Sequence, residues 1–294
     1  MVSVIIRAHG DGLFLTETIV SVLVQKDLAE LIIVLDKPSQ KLRQICDRFR
    51  SNSNVHFIEL DRSNLSRAMN YGLSFATSEF VSVIDSDDVM LANKLSIQQE
   101  FLVENIHVPV IGSNFFKIDT FGKRLELVRL PEVTMPNGIK SQTPCPLAHS
   151  AVMFRRKVVL DYGGYREKFE WAEDIDLWIR INKDFELHNI QIPLIYYRIH
   201  NLQSTSSNFD KISKALVATK IENGLICTNR LSKILSCSSL TDFYHNEKMN
   251  PTLNYYRMLE LVTLKLNNYK KRNRAIRYSL FRILKKIMSV NQET

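Results

Sequence analysis

The sequence predicts an α/β fold: a mostly parallel sheet flanked by helices, followed by a helical C-terminal region. Three observations carry this expectation. Apolar, β-branched runs recur at 2–6 (VSVII), 31–35 (LIIVL), 55–60 (VHFIEL) and 80–84 (FVSVI). Between them, apolar residues fall at helical spacing, as in Leu15, Ile19, Val22 and Leu23, or Leu65, Met69, Leu73 and Ala76. The runs are apolar on both faces, as strands covered by helices on each side must be, and such sheets bind ligands beyond the carboxyl ends of their strands.

Taken in order, the first hundred residues read as a β-α-β-α alternation. From about residue 105 the rhythm changes to a mixed extension of the sheet. There VPVIGSNFFKID and RLELVRLP read as strands, and a loop holding Pro144 and Pro146 leads to AVMFRRKVVL. A helix follows near 172–183, then the tract IPLIYYRIHNLQSTSSN. Residues 208–294 have helical spacing, with no glycine after Gly224 and Pro251 as the one breaker, so the expected division is 1–207 and 208–294.

The composition is that of an ordinary folded protein: 294 residues, 45% hydrophobic and 24% charged, which excludes disorder and low-complexity filaments. Cys46, Cys145, Cys227 and Cys237 form no CxxC pair or zinc-like spacing, so a reducing cytoplasm is expected. The opening MVSVIIRAHG reads as a strand rather than a secretory signal, and no apolar run approaches the ~18 residues of a membrane span.

Three clusters carry candidate chemistry. IDSDD at 84–88 ends a strand and crowds Asp85, Asp87 and Asp88 into four residues. In an extended chain residues i and i+2 face one ligand, and a hard divalent cation, Mg²⁺ or Mn²⁺, would relieve the repulsion; a solvated turn capping a helix is the other reading. Upstream, NLSRAMNYG places Asn64 and Arg67 at a helix start suited to a phosphate, or simply to an N-cap with an exposed arginine. In GGYREKFEWAEDIDLWIRI, Glu173 and Asp174 open a helix, either as ordinary partners of its dipole or as a base for a hydroxyl proton.

Seven blocks in this order resemble the family 2 glycosyltransferases of the GT-A fold, especially those that build bacterial capsule, lipopolysaccharide and other surface glycans. They are VSVII, LIIVLD, NLSRAMNYGLSFATSEF, DSDD, HSAVMFRR, GGYRE…EDIDLW and YRIH…S, and they run from Val2 to about Ser207. The resemblance implies a GT-A, Rossmann-like fold and an inverting transfer from a nucleoside-diphosphate sugar, with a UDP-sugar the first expectation. The acceptor would be a hydroxyl of a glycan or lipid-linked molecule. By the same resemblance, Asp36 meets the nucleotide base, Asp85 and Asp87 hold ribose and the Mn²⁺ or Mg²⁺ on the diphosphate, and Ser86 and Asp88 support them. Asp174 is the expected base with Glu173 beside it, and His200 reaches the metal or diphosphate.

Two departures bear on the nucleotide. Where the family's first strand ends in Pro-Thr-Tyr-Asn, this chain has Arg7, Ala8, His9 and Gly10; where the family has Asp-Asp-Gly-Ser, it has Asp36, Lys37, Pro38 and Ser39. Arg7 and His9 thus stand among the expected nucleotide-sugar contacts, and a different base or extra phosphate contacts stay open.

The formal charge of +8 is concentrated: nine basic residues and no acid lie between Lys265 and Lys286, leaving the rest of the chain nearly neutral. Ile276, Leu280, Ile283, Leu284 and Ile287 share one helical face there, so residues 265–288 read as a basic amphipathic helix. It either packs on the preceding helices or lies on an anionic membrane, which would make the protein peripheral on the inner face of the cytoplasmic membrane. No nucleic-acid partner is expected, because helix-turn-helix, zinc and aromatic-strip signatures are missing. A sugar nucleotidyltransferase would need a Gly-rich phosphate loop that RAHGDG matches poorly, and a sugar-binding scaffold without activity is the remaining alternative.

Overall fold

The computed structural model describes residues 1–61, 64–140, 145–201, 203 and 209–225. The chain divides into two compact units, Met1–Leu225 and Ile226–Thr294. The basic segment 265–288 lies outside the described residues.

The first unit is built on a sheet of ten strands among the described residues: β1 (Val2–His9), β2 (Leu28–Asp36), β3 (Val55–Leu60), β4 (Phe80–Asp85), β5 (Val89–Met90), β6 (Val110–Ile118), β7 (Arg124–Val128), β8 (Val133–Thr134), β9 (Met153–Arg155) and β10 (Leu187–Arg198). The spatial order is β3-β2-β1-β4-β9-β6-β10-β5, with β7 beside β6 and β8 beside β10. Strands β3, β2, β1 and β4 pair in parallel, while β9 runs antiparallel between β4 and β6, giving the expected mixed extension. The helices are α1 (Leu15–Leu23), α2 (Gln40–Asp47), α3 (Leu65–Phe75), α4 (Lys94–Glu104), α5 (Arg156–Asp161), α6 (Glu173–Ile181) and α7 (Phe209–Glu222).

Alternation along the strands sorts the core into two layers. Val4 and Ile6 of β1 with Leu31, Ile33 and Leu35 of β2 pack against α1, α2 and α4 through Leu15, Ile19, Leu42, Leu95 and Leu102. Ile5, Ile32, Val34, Val81 and Val83 face the other way, against Ala68, Met69 and Leu73 of α3 and Leu177, Trp178 and Ile181 of α6. Helix α3 lies so close to β1 that a Cβ at Gly72 would stand 2.7 Å from Ile5 Cγ2.

Helices α2 and α4 escape the sequence reading because their inward faces are short or polar. Only Leu42 and Cys46 of α2 are buried, and α4 buries Lys94 and Gln98 beside Leu95 and Leu102. Helix α7, which the sequence reading assigns to the C-terminal region, contacts α6, and the compact unit that contains the sheet runs on to Leu225. No helix of the described residues is long and apolar enough to cross a membrane.

Lys94 is fully buried; its Nζ donates to Ser82 Oγ at 2.6 Å and to the Val152 carbonyl at 3.4 Å. Burial lowers its pKa from 10.5 to about 7. Between these values the unfolded chain binds the proton and the folded chain does not, so stability rises with pH across that window, by at most about 1.4 kcal/mol per pH unit. Below pH 7 this contribution is absent. Thermal melts of wild type and Lys94→Met from pH 7 to 9.5 are expected to show wild type gaining stability relative to the variant as pH rises. Parallel pH profiles would contradict it.

Candidate active site

The parallel strands β1, β2 and β4 end side by side, and their last residues form the floor of the site. In register, Arg7 of β1 lies beside Asp85 of β4, and His9 beside Asp36 of β2. Arg7 Nη2 and Nε approach one oxygen of Asp36, Oδ2, at 2.8 and 3.3 Å, and the Asp36 side chain is wholly buried. The acid expected to meet the base is therefore engaged by the arginine that replaces the family's usual residue. Partial burial and the Arg7 charge hold the His9 imidazole below its ordinary range, while Asp36 and Asp87 pull it upward.

The turn after β4 sends its acids in different directions. The turn closes through the Asp88 N–H on the Asp85 carbonyl at 3.2 Å, and the Asp85 N–H donates to Ser150 Oγ at 2.9 Å. Burial pushes the Asp85 carboxyl up to about 6; Asp87 and Asp174 add to the rise, and His149 and Arg7 oppose it. Ser86 is half-buried between the two acids. Asp87 Oδ2 stands 2.8 Å from His200 Nε2, and His200 Nδ1 is buried with no hydrogen-bond partner among the described residues.

Asp88, the third acid of the turn, is fully buried. Its Oδ1 accepts the Arg198 backbone N–H at 2.8 Å and its carbonyl accepts Thr18 Oγ1 at 2.7 Å. Asp88 Oδ1 thus braces the turn, while its Oδ2 is buried with no hydrogen-bond partner among the described residues. Among the described residues no three His, Cys, Asp or Glu side chains are grouped to hold a metal by themselves. Asp87 and His200 thus offer two donors, which fits a cation that completes its shell with phosphate oxygens and water.

Glu173 and Asp174 open α6. Glu173 is buried, its Oε2 has no partner among the described residues, and burial followed by the charge of Asp174 pushes its carboxyl up to about 8. Asp174 is half-buried and accepts the Ile175 N–H on Oδ1 at 2.7 Å. Its charge is felt at Asp85, at the Tyr165 hydroxyl and at Glu173, so the two ends of the acidic cluster share one electrostatic environment. The helix is fixed from behind by Asp176, wholly buried, which accepts from Arg166, from Arg180 Nε at 3.0 Å and from Asn223 Nδ2 at 3.0 Å.

Asn64 and Arg67 have other partners. Asn64 Oδ1 caps α3 by accepting the Arg67 N–H at 2.8 Å, and Arg67 Nη2 pairs with Glu167 Oε2 at 2.8 Å. The Leu65 amide donates to Glu170 Oε1 at 3.2 Å. These contacts tie the start of α3 to the Arg166–Glu170 segment and engage the Leu65 and Arg67 amides. The sequence reading missed Arg198, Thr18, Ser150 and the pair formed by His149 Nε2 and the Tyr165 hydroxyl at 2.9 Å. Arg198 had a signal, since it precedes His200 by one strand period in YRIH.

A family model described as Glycosyl transferase family 2 matches residues 3–163. The chain belongs to that family. Among similar curated proteins, the O-antigen biosynthesis glycosyltransferase WbnJ of Escherichia coli is 29% identical over 214 residues, 70% of this chain and 83% of that protein. The putative glycosyltransferase EpsE of Bacillus subtilis is 30% identical, covering 67% of this chain and 72% of its own. A galactosyltransferase of Escherichia coli, named for UDP-Gal and α-D-GlcNAc-diphosphoundecaprenol, is 28% identical over 51% of the chain and 55% of its own length. Among solved structures, S. aureus TarS 1–349 in complex with UDP-GlcNAc superposes with a TM-score of 0.60 at 18% identity, over 90% of this chain and 89% of that one, a likeness of fold. In this glycosyltransferase the matched segment carries Arg7, Asp36 and the whole acidic turn, while α6 and His200 follow it in the same compact unit.

Proposed function

We propose that this glycosyltransferase inverts configuration as it moves a sugar from a nucleoside-diphosphate donor, a UDP-sugar, to a hydroxyl of a glycan or lipid-linked acceptor in bacterial surface-polysaccharide biosynthesis. The observation that carries this reading is the acidic cluster at the strand ends, with Asp174 electrostatically adjacent to Asp85 while Asp87 pairs with His200. The UDP-GlcNAc bound by TarS and the donor and lipid-linked acceptor in the galactosyltransferase's name support the choice of substrates.

Asp87 and His200 would hold Mn²⁺ or Mg²⁺, whose charge stabilises the departing diphosphate. Asp85 and Ser86 would face the ribose and sugar, and Arg7, His9 and Asp36 the base side. Burial and the neighbouring Asp174 charge push the Glu173 carboxyl upward, which favours its neutral form. Asp174, the more exposed of the two carboxylates at the start of α6, would accept the proton of the attacking hydroxyl. The basic segment 265–288 would hold the enzyme at an anionic membrane surface, beside a lipid-linked acceptor.

Nucleotide release from a panel of UDP-, GDP-, CDP- and dTDP-sugars, measured with Mn²⁺ and with EDTA, tests this reading. The expected result is release from UDP-sugars that EDTA suppresses and Mn²⁺ restores. Release indifferent to EDTA would remove the metal from the mechanism, and release confined to another nucleotide would overturn the UDP assignment.

A further inference from the structure

We propose that Arg198 is a positioning residue that sets the geometry of the metal-binding turn, and that Glu17 of α1 holds it in place. The proposal rests on the reading of Asp87 and His200 as metal donors.

Arg198 ends β10 and is 1% exposed. Its Nε donates to the Asp87 carbonyl at 2.9 Å, its backbone N–H to Asp88 Oδ1 at 2.8 Å, and its Nη1 to the Asp119 carbonyl, beyond β6, at 3.3 Å. Its Nη2 pairs with Glu17 Oε2 at 2.6 Å. The guanidinium carbon lies 4.3 Å from the centre of the Phe14 ring, which in turn lies 5.2 Å from the His200 ring. One residue therefore grips the backbone of the first donor, the carboxylate that braces the turn, and the aromatic ring on which the second donor rests.

The residue type follows from the task. Asp87 and Asp88 are adjacent in a tight turn, and the Asp88 side chain is wholly buried behind it. The group behind the turn must meet three acceptors at fixed angles, the Asp87 and Asp119 carbonyls and Glu17 Oε2. The planar five-donor fork of arginine does this; a lysine ammonium keeps the charge but cannot span the Asp87 carbonyl, the Asp119 carbonyl and Glu17 at once. The guanidinium also lies over the Phe14 ring, a cation–π contact made by arginine more often than by lysine. A loosened turn would move Asp87 away from His200 without removing either donor.

The test uses the full chain with Arg198→Lys and, because a buried substitution can unfold a protein, Glu17→Gln, whose side chain is 54% exposed. Three quantities are read: Mn²⁺ affinity from the EPR signal of free Mn²⁺ in the presence of UDP, UDP affinity in EDTA, and melting temperature. Outer-shell partners of a metal site typically govern affinity by about 10–100-fold. A weakening of that order is expected for Arg198→Lys, with UDP binding in EDTA unchanged, and a smaller shift in the same direction for Glu17→Gln. A lowered melting temperature with wild-type Mn²⁺ affinity would make Arg198 merely structural and overturn the proposal. If Arg198→Lys does not fold, wild-type Mn²⁺ affinity in Glu17→Gln overturns it equally. Wild type that binds no Mn²⁺ would instead sink the metal-site reading, and this proposal with it.

Discussion

Asp174→Asn is expected to lower kcat for sugar transfer by about 10²–10⁴-fold, the usual contribution of a positioned general base. Asparagine has nearly the same shape as aspartate, and the Asp174 Oδ1 contact with the Ile175 N–H can be kept by the amide oxygen. The helix that carries it is held by Asp176 and its partners rather than by Asp174, so the fold and nucleotide affinity are expected to stay as in wild type. A transfer assay with the donor found by nucleotide release, run beside UDP titration calorimetry, separates the two effects. Transfer at the wild-type rate would assign the base elsewhere, with Glu173 the next carboxylate on the same turn. Loss of nucleotide binding together with transfer would mean that Asp174 contacts the donor.

Asp87→Ala is expected to abolish metal-dependent UDP binding. Deleting an outer-shell partner alone costs about 10–100-fold in metal affinity, so removing a direct donor is expected to exceed that range. The substitution also strips His200 Nε2 of its 2.8 Å partner and leaves a largely buried imidazole without a hydrogen bond on either nitrogen. The side chain of Asp87 is partly exposed and the turn keeps its own closing contacts through Asp88, so melting temperature is expected to fall by about 2–4 °C, the cost of one lost hydrogen bond, with the fold retained. Calorimetric titration of UDP with Mn²⁺ and with EDTA reads the difference directly. Retained Mn²⁺ dependence in Asp87→Ala would show that the cation is held elsewhere.

Much of the architecture was legible before any coordinates. The apolar runs at 31–35, 55–60 and 80–84 lie in β2, β3 and β4, and the first helical spacing delimits α1, because buried parallel strands and amphipathic helices write their periods into the chain. Polar interiors were not legible in this way. Lys94 and Gln98 point inward from α4, and no hydrophobic period marks a helix whose buried face carries a lysine and a glutamine. The site shows the same contrast. Asp85, Asp87, Glu173 and Asp174 could be picked out as acids at strand and helix ends, yet their division of labour could not, since Asp87 and Asp88 are equivalent in the sequence. The fold separates them: one carboxylate meets His200, and the other turns into the protein onto the Arg198 amide.

The sequence by itself determined the family, the parallel sheet and the set of carboxylates, because these depend on local periodicity and on short motifs read within a few residues. Only the tertiary structure decided what engages those acids. Arg7 reaches Asp36 from 29 positions away, Arg198 reaches Asp87 from 111, and Arg67 pairs with Glu167 across 100. Such pairings are made by strands and loops that the fold sets side by side. Their chemistry depends on burial and distance, and neither quantity exists until the chain has folded.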